Sequence, residues 1–122
     1  MRDDKELQNI RPDVISEKVV FNELEEFQNE VLRPILKYQH SLFELFISNS
    51  KEVSILLNTG LPLETRRAGL KQIISKQPHL KYLFIGQVCG LFTNSEYKYY
   101  LENKQDLDKR LIAMIIDRIL SI

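Results

Sequence analysis

The sequence predicts an all-α fold, a compact irregular bundle of five to six helices with a long, proline-kinked first helix. Three observations predict it. Apolar residues recur at steps of three and four from about residue 22 onward, and capping residues and prolines punctuate those runs. No segment alternates with period two between turn signals, so nothing argues for a sheet.

Residues 1–21 carry few periodic apolar positions, and Arg11-Pro12-Asp13 is a turn or extended signal. This arm is expected to be mostly irregular, with residues 22–122 forming a single helical domain. Asn22 is placed to cap the first long helix and Glu25 to reach back as a capping-box acid, and the helix should run to about Ser48. Leu24, Phe27, Val31, Ile35, Tyr38, Leu42 and Leu45 fall on one stripe, which Leu32, Leu36, Phe43 and Ile47 widen to nearly half the circumference. Pro34 lacks a backbone donor and its ring crowds the carbonyl of Glu30, so a bend is expected there within one continuous helix.

Asn49 with Glu52 is placed to cap a shorter helix through Leu57, with Gly60 and Pro62 as its stop. A further amphipathic helix spans about Leu63 to Lys76 on Leu63, Leu70, Ile73 and Ile74, and Pro78 ends it or starts the next. From His79 to Phe92 the chain is apolar almost all round, which places that helix at the centre of the bundle, and Gly86 and Gly90 are expected to admit a neighbouring backbone. Thr93-Asn94-Ser95-Glu96 is a capping-box signal for a short helix with Tyr97, Tyr100 and Leu101 inward. A last helix runs from about Gln105 to Leu120.

Composition narrows the function classes. The 122 residues are 43% apolar and 28% charged, enough for one core without staples, and no apolar run reaches the ~20 residues of a membrane span. The opening Met1-Arg2-Asp3-Asp4-Lys5-Glu6 mixes both charge signs, so no secretory leader is expected and the location is read as cytoplasmic. The one cysteine, Cys89, lies in an apolar stretch where it acts as a small hydrophobe. Seventeen basic and seventeen acidic side chains cancel, leaving no global field to collect polyanions. Neither nucleic acid nor membrane is therefore expected as a partner, and a helix-turn-helix regulator lacks its basic recognition helix.

No glycine-rich phosphate loop, paired cysteines, His-Glu-x-x-His or nucleophile elbow is present, so no catalytic residue, metal or cofactor is expected. His40 and His79 are far apart in sequence, and His40 projects to the charged side of its helix beside Glu26, Arg33, Lys37 and Glu44. Placing each polar residue on its helix at about 100° per residue singles out four that fall inside an apolar arc. Gln28 and Gln39 lie between Ile35 and Leu32, Gln87 between Leu83 and Leu80, and Arg118 among Leu111, Met114, Ile115 and Ile122.

Buried amides and a buried guanidinium need partners. Either the glutamines satisfy backbone freed at Pro34 and Arg118 reaches solvent or a carboxylate, or the four line one polar pocket that receives a small anionic ligand on Arg118. Arg118 is expected to be at least half buried against an acid or a helix C-terminal carbonyl. Arg66, Arg67, Lys71 and Lys76 form a basic segment and Glu23, Glu25, Glu26 and Glu30 an acidic one, read as solvated faces or as surfaces for charge-complementary docking. Tyr97, Tyr99 and Tyr100 read as core and rim aromatics.

Phe27-Gln28-Asn29, Leu32-Arg33-Pro34-Ile35-Leu36-Lys37, Phe92-Thr93, Glu96-Tyr97, Asn103 and Arg110 together resemble a family of short bacterial proteins, some of whose members bear the name glyoxalase. The resemblance covers about residues 22–120 and implies a compact helical fold, not a reaction. Glyoxalases of the usual metal-dependent kind hold their metal with histidine and glutamate on strands of a paired β-α-β-β-β fold. This chain offers no strands, so no glyoxalase residue, cofactor or activity carries over. The leading expectation is a non-enzymatic interaction or regulatory protein that self-associates as a dimer. The alternative is a binding protein or enzyme for a small anionic molecule, with Gln28, Gln39, Gln87 and Arg118 around its pocket.

Overall fold

Local capping chemistry opens the helices at the start of the chain. The Asp3 carboxylate accepts from the backbone N–H groups of Lys5 and Glu6 and begins α1 (Asp4–Asn9). The computed structural model describes residues 2–13 and 22–122, so of the arm expected to be mostly irregular over residues 1–21, Asp4–Asn9 is helical and residues 14–21 lie outside the described residues. The segment around α1 is strapped to the rest of the molecule by its arginines. Arg2 Nη2 donates to the carbonyl of Gly90 at 2.7 Å, Arg11 Nη2 donates to that of Leu91 at 2.8 Å, and Arg11 forms an ion pair with Glu96 at 2.7 Å.

A long proline-kinked first helix does not form. Asn22 Oδ1 accepts from Glu25 N–H at 2.8 Å and opens α2 (Glu23–Phe27), as its position predicts, but Gln28–Leu32 is a π-helical turn in which Arg33 N–H reaches back five residues to Gln28 O. α3 (Arg33–Tyr38) begins behind that turn with Pro34 in its own first turn. A proline there removes no bond that the new helix needs, and the wider turn ahead of it gives the ring room. Gln39 then leaves regular helix geometry at φ −87°, ψ 4°, and α4 (His40–Asn49) starts afresh. The bundle therefore consists of more and shorter helices than the five to six predicted.

The stripe drawn for one regular helix is interrupted twice, by the π turn, which holds one residue more than an α turn, and by the break at Gln39. Leu32, Leu36 and Phe43 are fully buried, while Tyr38, Leu42 and Leu45 face out at 48%, 36% and 60% exposure. α5 (Lys51–Leu57) is capped by Ser50, whose hydroxyl accepts from Val53 N–H, and not by Asn49. Gly60, at φ 74°, turns the chain through the left-handed region, and α6 (Leu63–Lys76) starts directly after Pro62.

α7 (Pro78–Cys89) takes Pro78 at its first turn and buries Leu80, Phe84, Ile85 and Val88, yet leaves Tyr82 and Leu83 exposed, so it is not sheathed all round. Gly86 and Gly90 admit no neighbouring backbone: a Cβ at Gly86 would meet nothing within 4 Å, and one at Gly90 only the carbonyl of Gly86. α8 (Asn94–Glu102) carries the expected capping box between Thr93 and Glu96 and buries Tyr100, while Tyr97 and Leu101, expected inward, are exposed.

α9 (Lys104–Leu120) lies against the π turn, α4, α6, α7 and α8, and its stripe of Leu107, Leu111, Ile115, Ile116 and Ile119 is the middle of the core. Phe43 and Phe84 meet at 5.9 Å and Phe27 and Phe92 at 5.5 Å within the same core. Each such fully buried side chain contributes about 1.5–3 kcal/mol, which is why short helices with modest intrinsic stability hold together here. Among the described residues no helix is long and apolar enough to cross a membrane.

Candidate functional site

One flank of α9 faces a groove of 910 Å³ shared with α6 and α7, within the usual size range of small-molecule sites. Its floor is apolar, made by Ile74, Ile112 and Ile116 with Pro78 and Ala113. Its rim is cationic. Lys71 comes from α6, Lys81 from α7, and Lys104 and Lys109 from α9, against the one lining carboxylate, Asp108. Tyr82 completes the wall, with the ammonium groups of Lys81 and Lys104 each 5.8 Å from its ring centroid.

Asp108 is buried and fully engaged. The Tyr100 hydroxyl donates to its Oδ1 and Lys104 Nζ donates to its Oδ2 at 2.6 Å. Burial first, and then the hydrogen bond to Asp108, push the Tyr100 phenol far above its ordinary range. The hydrogen bond to Asp108 and its charge raise Lys104, which stays protonated. Burial pushes the nearby Cys89 thiol up to about 11, so it remains an unreactive thiol near neutrality. With Asp108 held by Tyr100 and Lys104, the remaining lysines have no carboxylate partner among the described residues. Apolar walls beside three lysines that no carboxylate neutralises can hold an anion with a hydrophobic body. Among the described residues no group of three His, Cys, Asp or Glu side chains is arranged to hold a metal ion.

The four residues singled out by the helical wheel are not among those that line this groove. Gln28 Oε1 accepts from Arg110 Nη1 at 2.9 Å. Gln39, at the break between α3 and α4, donates through Nε2 to the carbonyl of Gln87 at 2.7 Å, near the C-terminal end of α7 where carbonyls lack helical donors. The side-chain Oε1 of Gln87 is buried without a partner among the described residues. Arg118 is partly buried, as expected, but its Nη1 donates to His40 Nδ1 at 3.2 Å instead of to an acid or a helix carbonyl. Gln39 and Gln87 thus meet, Arg118 meets the residue after Gln39, and Gln28 pairs separately along α9.

Asp108 was within reach of the same wheel argument, since about 100° per residue places it between Ile115 and Ile119 on the buried stripe. The groove lysines give no such signal. They stand on three helices, and only the packing of α6, α7 and α9 gathers them. Asn29, which is 5% exposed and accepts from Arg33 Nε at 2.8 Å, falls on a regular wheel at the angle of Ile47, at the edge of the apolar arc, and so was also within reach of that argument. No family model matches the chain, and no curated protein or solved structure matches it significantly.

Proposed function

We propose that this protein is a non-catalytic binding protein for an amphiphilic organic anion, one with a carboxylate-type head and an apolar body. The observation that carries the reading is the groove of 910 Å³ whose isoleucine floor is ringed by four lysines from three helices. The apolar body gains by leaving water at roughly 25 cal/mol per Å² buried, and the head gains from the ammonium groups of Lys71, Lys81 and Lys109, which make no ion pair among the described residues. Isothermal titration of the intact chain with decanoate, decanol and decyltrimethylammonium tests both halves of the argument. Decanoate should bind, decanol about ten-fold more weakly, and the cation not at all; Lys81→Glu with Lys109→Glu should weaken decanoate by about ten-fold or more. Equal binding of decanoate and decanol, or an unchanged affinity in the double variant, would sink the reading.

A second reading, self-association, is favoured by a different observation. Tyr38, Leu42 and Leu45 are exposed large apolar side chains on either side of the junction of α3 and α4.

A further inference from the structure

On α7 the residues that face out are His79, Tyr82, Leu83 and Gly86, at the steps of three and four that make one helix face. Tyr82 is 59% and Leu83 47% exposed, and the face is open at Gly86, where a Cβ would meet nothing within 4 Å. α8 presents a second face of the same kind, Tyr97, Lys98 and Leu101, with Tyr97 44% and Leu101 52% exposed. Ring contacts set the two side by side. Tyr97 stacks on Tyr100 with 6.0 Å between centroids, and Lys104 Nζ stands 6.0 Å from the Tyr100 ring and 5.8 Å from that of Tyr82. Tyr82, Lys104, Tyr100 and Tyr97 therefore form one row from α7 to α8.

The same face is cationic. Lys81 and Lys98 adjoin the exposed tyrosines in sequence and make no ion pair among the described residues, and α7 carries no carboxylate. Of the two glutamates on α8, Glu96 is taken by Arg11, which leaves Glu102 at the edge of the face, one turn past Lys98. The groove adjoins through Tyr82, Lys81 and Lys104 and adds Lys71 and Lys109. Zero net charge is an average from which this side of the molecule departs. Leucine and tyrosine exposed beside lysine suit the headgroup layer of an anionic bilayer: the leucines leave water, the tyrosine rings sit at the interface with their hydroxyls wet, and the ammonium groups meet lipid phosphates. Other occupants fit less well. A second copy would bring like charges against Lys81 and Lys98 across a two-fold contact, and single-stranded nucleic acid would stack on the tyrosines but leave Leu83 and Leu101 in water. No described helix is long and apolar enough to cross a membrane, so the contact is confined to its surface.

We infer that the outward face of α7 and α8, Tyr82, Leu83, Tyr97 and Leu101 with Lys81 and Lys98, docks on the surface of an anionic lipid bilayer. This goes beyond the groove reading and does not depend on it, although Tyr82 and Lys81 belong to both. The test is co-sedimentation of the intact chain with vesicles of phosphatidylcholine alone and of phosphatidylcholine mixed with phosphatidylglycerol, at low and at high salt. The chain should bind the mixed vesicles, bind the neutral ones about ten-fold or more weakly, and lose affinity as salt rises. Lys98→Glu with Leu101→Ser changes two exposed residues that do not line the groove, and should weaken vesicle binding about ten-fold or more while the circular dichroism and the affinity for decanoate stay unchanged. If that variant does not fold, Lys98→Glu alone should weaken vesicle binding about five-fold or more. Binding of vesicles without binding of decanoate upholds this face and sinks the groove reading, and the reverse result overturns this face alone. Equal binding to neutral and mixed vesicles, or a folded double variant with undiminished vesicle affinity, would overturn the inference. So would a chain that ignores vesicles and instead retains oligothymidylate, or forms a dimer that Leu101→Ser dissolves, since either outcome assigns the face to another occupant.

Discussion

Arg11 and Glu96 show how one pair of residues ties a distant segment to the bundle. Arg11 Nη1 and Nη2 fork onto the two Glu96 oxygens at 2.8 and 2.7 Å, while Glu96 Oε1 also accepts from Thr93 N–H at 2.8 Å, so a single carboxylate closes the capping box of α8 and anchors the segment after α1. Burial pulls the Glu96 carboxyl upward, but the Arg11 hydrogen bonds, the Thr93 N–H and the Arg11 charge outweigh it and hold it below the usual glutamate range. A carboxyl depressed in the folded state adds stability that is complete above the unfolded value, about 4.3, and disappears as pH falls through the lower folded value. Glu96→Gln should therefore cost about 2 kcal/mol at neutral pH, discounted from a fully buried pair for partial exposure, with the difference from the parent shrinking in acid. Thermal melts from pH 3 to 7 check this, and a difference that does not shrink toward acid would contradict it.

At the scale of elements, the glycines of α7 make the clearest prediction. Gly86 is in the interior of the helix, its φ is not positive, and a Cβ there would meet nothing within 4 Å. Gly86→Ala should stabilise the protein by about 0.5–1 kcal/mol through lost unfolded-state entropy and better helix propensity. That corresponds to a rise in Tm of about 2–6 °C for a chain of this size, and a fall in Tm would show that something does approach Gly86 closely.

The same contrast explains what was legible in the sequence. The helices from Leu63 onward were readable because their signals are local: Pro78 at a first turn, Thr93 with Glu96 in a capping box, and a stripe on α9 with unbroken period. The region from Asn22 to Ser48 was not, because a period of 3.6 assumes a regular helix and the π turn at Gln28–Leu32 breaks that assumption without any residue announcing it. Behind the π turn Ile35 is still buried, and Tyr38, Leu42 and Leu45 face out on either side of a second break, at Gln39, while Gln28 and Gln39 take separate partners. Of the candidate sites, Arg118 was visible as a misplaced charge on an apolar stripe, whereas the groove lysines depend on how three helices pack.

Across the whole molecule, a net charge of zero conceals separated charges: lysines gather on one flank of α9, arginines on the other, and glutamates on α2. Two kinds of self-association are open to such a surface, and salt distinguishes them. Docking of an acidic helix on a lysine rim would fade as salt shortens the screening length, whereas apolar contact through Tyr38, Leu42 and Leu45 persists or strengthens. Three side chains cover far less than the ~800 Å² per partner of a standard interface, so contact through them should be weak and dependent on concentration. The expected outcome by size exclusion with light scattering is a monomer when dilute and a growing dimer fraction at high micromolar concentration, undiminished by added salt. Leu45→Glu, at the most exposed of the three positions, should return the protein to monomer without lowering its Tm, because that side chain contributes little to the core. A monomer at every concentration would remove self-association as a property of this chain, and a dimer that dissolves in salt would move it from these apolar side chains to the charged faces.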